Sequence, residues 1–487
     1  MRPHTFLGTC LILALFVPQA LATDVSGDQS GTWTLAGSPY YLVGDVRVPP
    51  GETLAIEPGV EVIAQGHYRL WVDQGELLAV GTPAQMILMT ASNHTEGWRG
   101  LRLEQANDAS IVSYCVIEYA RGIGAYPGVR GGAIYCLNCS PTIAHNELRF
   151  NYSHNSNYNG CGGGVLTETS DALVLDNYIH DNIADSGAGV CCTEYGTPLV
   201  FGNMIADNQA YYAGGAIYMG ARSSPLIENN MIIGNTSGGW GGGGINSWTS
   251  YIFYGTYATI RNNMIAMNTA TSGGDAQGGG GVYCRYDRAL IYNNTITDNY
   301  APTGGGIYAL NYPDQAPIVQ NTIVWGNAAG TGAQIYVYAG TGSAISVSYT
   351  DVEGGWPGTG NMDENPIYVG PSIADYHLSD ESPCIDMGNP AYVPLPGETD
   401  IDGQLRVWDG DDNGVARIDM GADEFDSHCL GDLDGDGDVD LSDLALLLSN
   451  YGTSSGMTFE DGDLDGDGDV DLADLAVLLA VYGTTCP

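Results

Sequence analysis

The chain has 487 residues, 70 of them glycine, and sets 57 acidic against 14 basic residues for a formal charge of −43. All 14 basic residues are arginine, which excludes Schiff-base, P-loop or general-base lysine chemistry, and a field of that sign repels nucleic acids and anionic membranes. Apolar residues make up 44% of the chain and are spread along it, so the charge does not imply disorder.

In chain order, residues 1–22 read as an export leader: Arg2, an apolar stretch from Phe6 to Val17, and the small-residue signal Ala20-Leu21-Ala22. The expected mature chain starts near Thr23 and is secreted or held at the cell surface. No later segment reaches the length of a membrane span. Once Cys10 is removed with the leader, ten cysteines remain in an oxidising compartment. Residues 23–112 read as an amino-terminal cap and first coils, with paired strands and Pro-Gly turns.

From 113 to 350 the chain repeats itself. The motif AHNELRFN, LDNYIHDN, FGNMIADN, ENNMIIGN, RNNMIAMN, YNNTITDN, VQNTIVWGN places its first Asn at Asn146, Asn177, Asn203, Asn230, Asn263, Asn294 and Asn321. A second Asn follows five residues later in six copies, from Asn151 to Asn299. Between copies stands a Gly-rich element such as GGAIY from Gly131 or GGGVY from Gly279. Both elements are too short for ordinary helices and alternate as strands do. Ile179, Ile205, Ile232, Ile265, Ile296 and Ile323 form one inward file; Ile134, Val165, Ile217, Ile245, Val282 and Ile307 form another. A period of about 29 residues makes one coil per repeat, stacked at about 4.8 Å, with Gly and Asn at corners of positive φ. The Asn ladder reads as stacked amides that cap turns.

This pattern resembles the right-handed parallel β-helix family, the pectate-lyase-like solenoids, over roughly residues 110–350. The resemblance implies an all-β solenoid and a polysaccharide substrate or ligand. Residues 351–428 resemble a carboxy-terminal β cap module, with an acidic loop at Asp409, Asp411, Asp412 and Asn413.

Residues 429–487 carry the sharpest motif. DLDGDGDVDLSD from Asp432 recurs as DLDGDGDVDLAD from Asp463. Acids stand at positions 1, 3, 5, 9 and 12 of a twelve-residue loop and Gly at 6, the pattern of oxygen donors around calcium. The first set is Asp432, Asp434, Asp436, Asp440 and Asp443, with the carbonyl of Asp438 at position 7. The second is Asp463, Asp465, Asp467, Asp471 and Asp474, with Asp469 at position 7. After each loop a helix presents an apolar face: Leu441, Leu444, Leu447, Leu448 and Tyr451, then Leu472, Leu475, Leu478, Leu479 and Tyr482. Loop-then-helix twice resembles a type I dockerin, a small α-helical calcium-binding domain with EF-hand loops. The resemblance implies calcium as cofactor, calcium-dependent folding, and docking onto a cohesin-like protein. In that fold Cys429 and Cys486 bracket the two loops and are expected to pair.

Register supplies the candidate chemistry. Arg149 and His180 fall at the fourth position of the motif, and Asp181 and Asp207 at the fifth, on adjacent coils about 5 Å apart, a spacing that suits a carboxylate pair or a cation site. His145 neighbours Asp176. These four, Asp181, Asp207, His180 and Arg149, are the candidate catalytic residues of a hydrolase or lyase; ordinary turn polars are the alternative. Tyr135, Tyr218, Tyr283 and Tyr308 follow inward residues and so form an outward aromatic file, with Tyr336 at its end. The insertion Asn246 to Ala258 adds Trp248 and Tyr251, and such rings stack on sugar faces or on each other. Cys136, Cys192 and Cys284 are placed in one outward register. The reading is a secreted, calcium-binding β-helix protein that binds an extracellular polysaccharide, with or without degrading it as a hydrolase or lyase. Its alternative is a non-catalytic structural or adhesion protein of the cell surface.

Overall fold

A computed structural model describes residues 22–484 except 125–127, 156, 158, 221, 249–257, 273–277, 312–314, 411–413, 426–430, 435–437, 459–460 and 465–467. The expected leader lies outside the described residues, apart from Ala22.

The chain winds into a parallel β-solenoid. A first ladder stacks the strands of the Asn motif, Cys115–Glu118, Glu147–Arg149, Tyr178–His180, Met204–Ala206, Met231–Ile233, Met264–Ala266, Thr295–Thr297 and Ile323–Trp325. A second stacks the strands after each Gly corner, from Ile134–Leu137 to Ile335–Val337. A third, of 12 strands, precedes each Asn motif and ends at Ser346–Ser348. A short fourth ladder runs from Arg121–Gly122 to Thr269–Ala270. The one antiparallel strand pair among the described residues, Tyr368–Gly370 with Asp375–Leu378, lies outside the coils.

The core fills the inside of the coils. Ile179, Ile205, Ile232, Ile265 and Ile296 stack from the first ladder, and Ile134, Val165, Ile217, Ile245, Val282 and Ile307 from the second, all fully buried. Ile143, Val174, Val200, Ile227, Ile260 and Ile291 close the third side. Each such side chain contributes about 1.5–3 kcal/mol by leaving water. The third file had no place in the sequence reading because its strands stand before each Asn motif, outside the two recurring elements from which the register was taken.

Two asparagine ladders hold the corners. Asn146, Asn177, Asn203, Asn230, Asn263 and Asn294 each donate Nδ2 to a main-chain carbonyl of the preceding coil, and each of the first five also donates to the Oδ1 of the next, at 2.9–3.0 Å. The second ladder, Asn151 to Asn299, continues to Asn327 and ends on Gln334. Every group of these amides is spent inside the protein, so the ladder is a structural element, as expected.

The seventh repeat corrects the sequence register by one residue. Thr322 takes the Asn position, accepting from Asn294 N, while Asn321 aligns with Asn293. Val324, paired with Ile296, is the inward residue there; Ile323 pairs with Thr295 and packs outward against Leu378 and Cys384. Asn321 mimics the ladder position in the sequence because it too is an asparagine, one residue before Thr322.

The residue before each ladder asparagine adopts left-handed backbone. His145, Asp176, Asn229, Asn262 and Asn293 do so at one corner, and Phe150, Asp181, Asp207, Met267 and Asp298 at the other, with φ from 52° to 56°. The Gly corner uses glycine for the same purpose, as at Gly131, where a Cβ would sit 2.7 Å from Tyr135 Cβ.

Cys136, Cys192 and Cys284 are buried in the core rather than outward, since each stands two residues after an inward one. Cys191 is the outward neighbour, and it forms a disulfide with Cys161 across a Cα separation of 5.8 Å. Cys429 and Cys486 lie outside the described residues.

Candidate functional site

The outer face of the first ladder divides in two. From Met231 onward it is covered by residues of the 351–425 segment. Tyr376 packs on Met264 and Ala266 and donates its hydroxyl to Asp298 at 2.9 Å. Asn229 and Asn262 donate to the carbonyls of Asp400 and Thr399 at 2.6 and 2.9 Å, and Asn389 N donates to Asn321. Arg261 lies between Glu228 at 2.7 Å and Glu398 at 3.4 Å. Among the described residues, the rungs from Val116 to Ala206 carry none of these contacts.

Those open rungs hold all four candidate catalytic residues. Arg149 pairs with His180 in the strand register, and His180 with Ala206. Arg149 Nε donates to Glu118 at 2.9 Å, and its guanidinium also reaches Glu147. Burial opposes the Arg149 charge, but Glu118 and Glu147 prevail and raise its pKa. The His180 ring bridges Asp181 at 2.8 Å and Glu147 at 3.2 Å. Asp181 and Asp207 occupy consecutive turns of the left-handed corner file and are exposed. The rung spacing of about 4.8 Å separates their main chains. His145 stands 3.9 Å from Asp176. The arrangement is a polar network of one guanidinium, one imidazole and several carboxylates on a ledge, able to hold polar ligand groups. Glu118 and Glu147, which complete it, were missed in the sequence because they lie on an outward strand position that varies from coil to coil.

Rings accompany these charges. At the corners His94 stacks on Tyr119 at 3.7 Å, Tyr119 on Phe150 at 5.6 Å, and Tyr114 on His145 at 4.8 Å; Tyr178 stacks on His180 at 3.9 Å. Phe150 is 43% and Tyr178 40% exposed. Their sequence signal is an aromatic at or near the residue before a ladder asparagine, where solvent rather than the core determines the side chain.

The expected aromatic file exists as register but not as an open surface. Tyr135, Tyr218, Tyr283 and Tyr308 all face out of the second ladder and are nonetheless buried. Tyr283 and Tyr308 pack ring to ring at 5.1 Å, and Tyr308 and Tyr336 at 5.0 Å. Tyr218 packs with Leu166, Cys191, Trp240 and Trp248. Burial pushes the phenols of Tyr135, Tyr218 and Tyr283 up, with Glu168, which accepts the Tyr135 hydroxyl, adding to that effect. Cross-coil packing thus takes the rings assigned to sugar stacking. Trp248 is half-buried, and Tyr251 lies outside the described residues.

At the carboxy-terminal end, helix α1 (Leu441–Asn450) and helix α2 (Leu472–Val481) each follow an acidic loop. Asp432, Asp434 and Asp443 bring ligand oxygens within 4.8 Å of one another, as do Asp469, Asp471 and Asp474. Asp436, Asp465 and Asp467 lie outside the described residues. Asp443 is fully buried and accepts from Leu433 N at 2.7 Å, Asp434 N at 3.2 Å and Asp440 N at 2.7 Å. Asp474 repeats this with Leu464 N and Asp471 N, both at 2.7 Å. Asp440 and Asp471 also cap their helices, accepting from Ser442 N and Ala473 N at 2.6 Å. Gly468, at loop position 6, has φ 87°. Clustered hard oxygen donors around a glycine turn fit a calcium ion. The helix faces are only partly used: Leu447 and Leu478 are buried, while Leu441, Leu448, Tyr451, Leu472, Leu479 and Tyr482 are exposed.

In the 351–425 segment, Asp409 of the expected acidic loop accepts from Gly414 N at 2.7 Å, and Asp411, Asp412 and Asn413 lie outside the described residues. A third close group is His377, Asp402 and Asp423. His377 meets Asp402 at 3.0 Å and Asp375 at 2.6 Å. The hydrogen bond to Asp402 outweighs burial and lifts the imidazole pKa to about 10, so the positive charge in this group is the histidine's own. Burial raises the Asp423 carboxyl to about 7.

No helix among the described residues is long and apolar enough to cross a membrane. No curated protein matches the chain. Residues 99–323, the coils that carry the asparagine ladders, match the family model described as "Right handed beta helix region", and the solenoid is a right-handed parallel β-helix.

Proposed function

We propose that the protein is secreted, engages an extracellular polysaccharide on the open rungs of its first ladder, and is tethered by a calcium-binding, dockerin-like tail. The observation that carries the saccharide reading is the coincidence, on uncovered rungs, of exposed Tyr178 and Phe150 with Glu147, Arg149, His180 and Asp181. Rings take apolar sugar faces while charged groups take hydroxyls. β-Helix proteins often act on polysaccharides, which agrees with this face. Asp181 and Asp207 sit at corner positions that Gly234 and Met267 fill on later coils, so the backbone alone accounts for their short polar side chains. That favours binding over bond cleavage. The test is affinity-gel retardation and a depolymerisation panel on the full chain with calcium present. Retardation lost in Phe150→Ala with Tyr178→Ala supports the site, and equal retardation places the ligand elsewhere. Turnover lost in Asp181→Asn with Asp207→Asn would make the protein a hydrolase or lyase, whereas no turnover by the wild type on any glycan makes it an adhesion or scaffold protein.

For the tail, the supporting observation is the duplication itself. Two acidic loops each hold a buried position-12 carboxylate, and each following helix leaves the same three apolar positions exposed. When bound, calcium would neutralise the clustered carboxylates of Asp432, Asp434 and Asp443 and of Asp469, Asp471 and Asp474. The exposed leucines and tyrosines would then offer a two-fold related surface to a cohesin-like partner. Binding of the full chain to a cohesin module, abolished by chelator and by Leu441→Glu with Leu472→Glu, is the expected result; binding unchanged by both treatments would refute it.

A further inference from the structure

The second ladder's outward file begins with a different chemistry from the tyrosines that follow. In register, Arg47 pairs with Trp71, Trp71 with Arg102, and Arg102 with Tyr135. Beside these strands lies a shallow depression, open to solvent, lined by Arg69, Arg99, Leu101, Arg102, Arg130 and Tyr135. Four of the chain's fourteen basic residues therefore line one small hollow in a molecule of charge −43.

The guanidiniums are held in place. Arg69 lies over Trp71 at 4.6 Å and Arg102 over Tyr135 at 4.3 Å. Arg130 donates to Thr193 at 3.0 Å and lies 3.4 Å from Glu168, and Arg102 pairs with Glu104. Asp45 stands 3.4 Å from Arg69 Nε and 4.0 Å from Arg99. Three carboxylates thus face four guanidiniums. The guanidinium groups of Arg69 and Arg99 donate no hydrogen bond to the described residues, so most of their donors are unspent; a guanidinium carries five. Arg69 is burdened further: burial first, then the charges of Arg99 and Arg102, lower its pKa. Like charges crowded together at the edge of water cost free energy unless an anion joins them.

We propose that this hollow binds one tetrahedral oxyanion, a sulfate or phosphate monoester. A planar carboxylate is satisfied by a single two-pronged guanidinium, whereas donors converging from separate coils suit an anion that presents three or more oxygens in different directions. The interior of the hollow is little larger than a water molecule, so the oxyanion would rest at its mouth among the guanidiniums and the organic part of the ester would stay in solvent. The site lies on the second ladder and does not depend on the saccharide reading of the first.

The test is calorimetric titration of the full chain with phenyl sulfate and phenyl phosphate at constant ionic strength, with methyl glucuronide as the planar comparison. Saturable one-to-one binding of either ester, tighter than the glucuronide, is expected. Arg69→Gln and Arg99→Gln should each weaken it about tenfold or more, while Arg288→Gln, at an exposed position elsewhere, should leave it unchanged. Arg99 is 35% exposed and its replacement carries the test if Arg69→Gln fails to fold. A preference between the two esters identifies the source of the anion. No saturable binding, equal affinity in Arg99→Gln, or tighter binding of the glucuronide would overturn the assignment.

Discussion

The solenoid and the tail bury polar groups by opposite means. In the solenoid, neutral amides lie one above another and each satisfies the next, so Asn208 donates to Ile179 O, Ala206 O and Asn235 Oδ1 while accepting from Asn182. In the tail, like-charged carboxylates are brought within 4.8 Å of one another. An amide ladder closes on itself, whereas a carboxylate cluster leaves a deficit of positive charge, which the proposed calcium would fill. On the proposed reading, the same chain holds one region whose stability is intrinsic and one whose stability depends on calcium in the solvent.

The contrast can be broken in the solenoid first. Asn208→Leu strands buried donors and acceptors on two neighbouring coils and should cost about 4 kcal/mol. Chemical denaturation read by circular dichroism checks this, and calcium should not restore the loss. In the tail, Asp443→Ala leaves three main-chain N–H groups without their acceptor and should cost about 3 kcal/mol, together with one calcium site. Calorimetric titration of that variant should show one site fewer than the wild type.

A third region sharpens the comparison, because it supplies its own cation. His377, raised to about 10 chiefly by Asp402, binds its proton more tightly folded than unfolded. Its contribution is therefore complete below the unfolded value of about 6.5 and is lost as pH rises toward 10. Thermal stability of the wild type should fall across that window, and His377→Gln should flatten the fall. Least of all, Phe150→Ala on the open face should change stability by less than about 0.5 kcal/mol while reducing glycan retardation.

Much of the solenoid was legible because every coil repeats the same constraints. Isoleucine two residues after a ladder asparagine faces inward on coil after coil, and the recurring asparagines stack into the ladder. The reading slipped where two positions share a residue type, at Asn321 and Thr322, and where a two-residue offset was counted as outward, at Cys136. The candidate face was only partly legible. Arg149, His180, Asp181 and Asp207 could be aligned from register, but register cannot tell whether an outward ring meets solvent or a neighbour. Tyr283 and Phe150 are both outward, and only three-dimensional packing makes one buried and the other 43% exposed. Nor could spacing foresee that residues 351–425 cover the later rungs, because contacts such as Tyr376 to Asp298 join segments far apart in the chain.

Hydrogen exchange on the full chain, measured in calcium and again in chelator, tests the contrast between the two regions most directly. Amides of the stacked strands, such as Ile179, Ile205 and Ile232, should stay protected in both conditions, while those of helices α1 and α2 should lose protection when calcium is withdrawn. Equal protection of Leu447 and Leu478 with and without calcium would contradict the account.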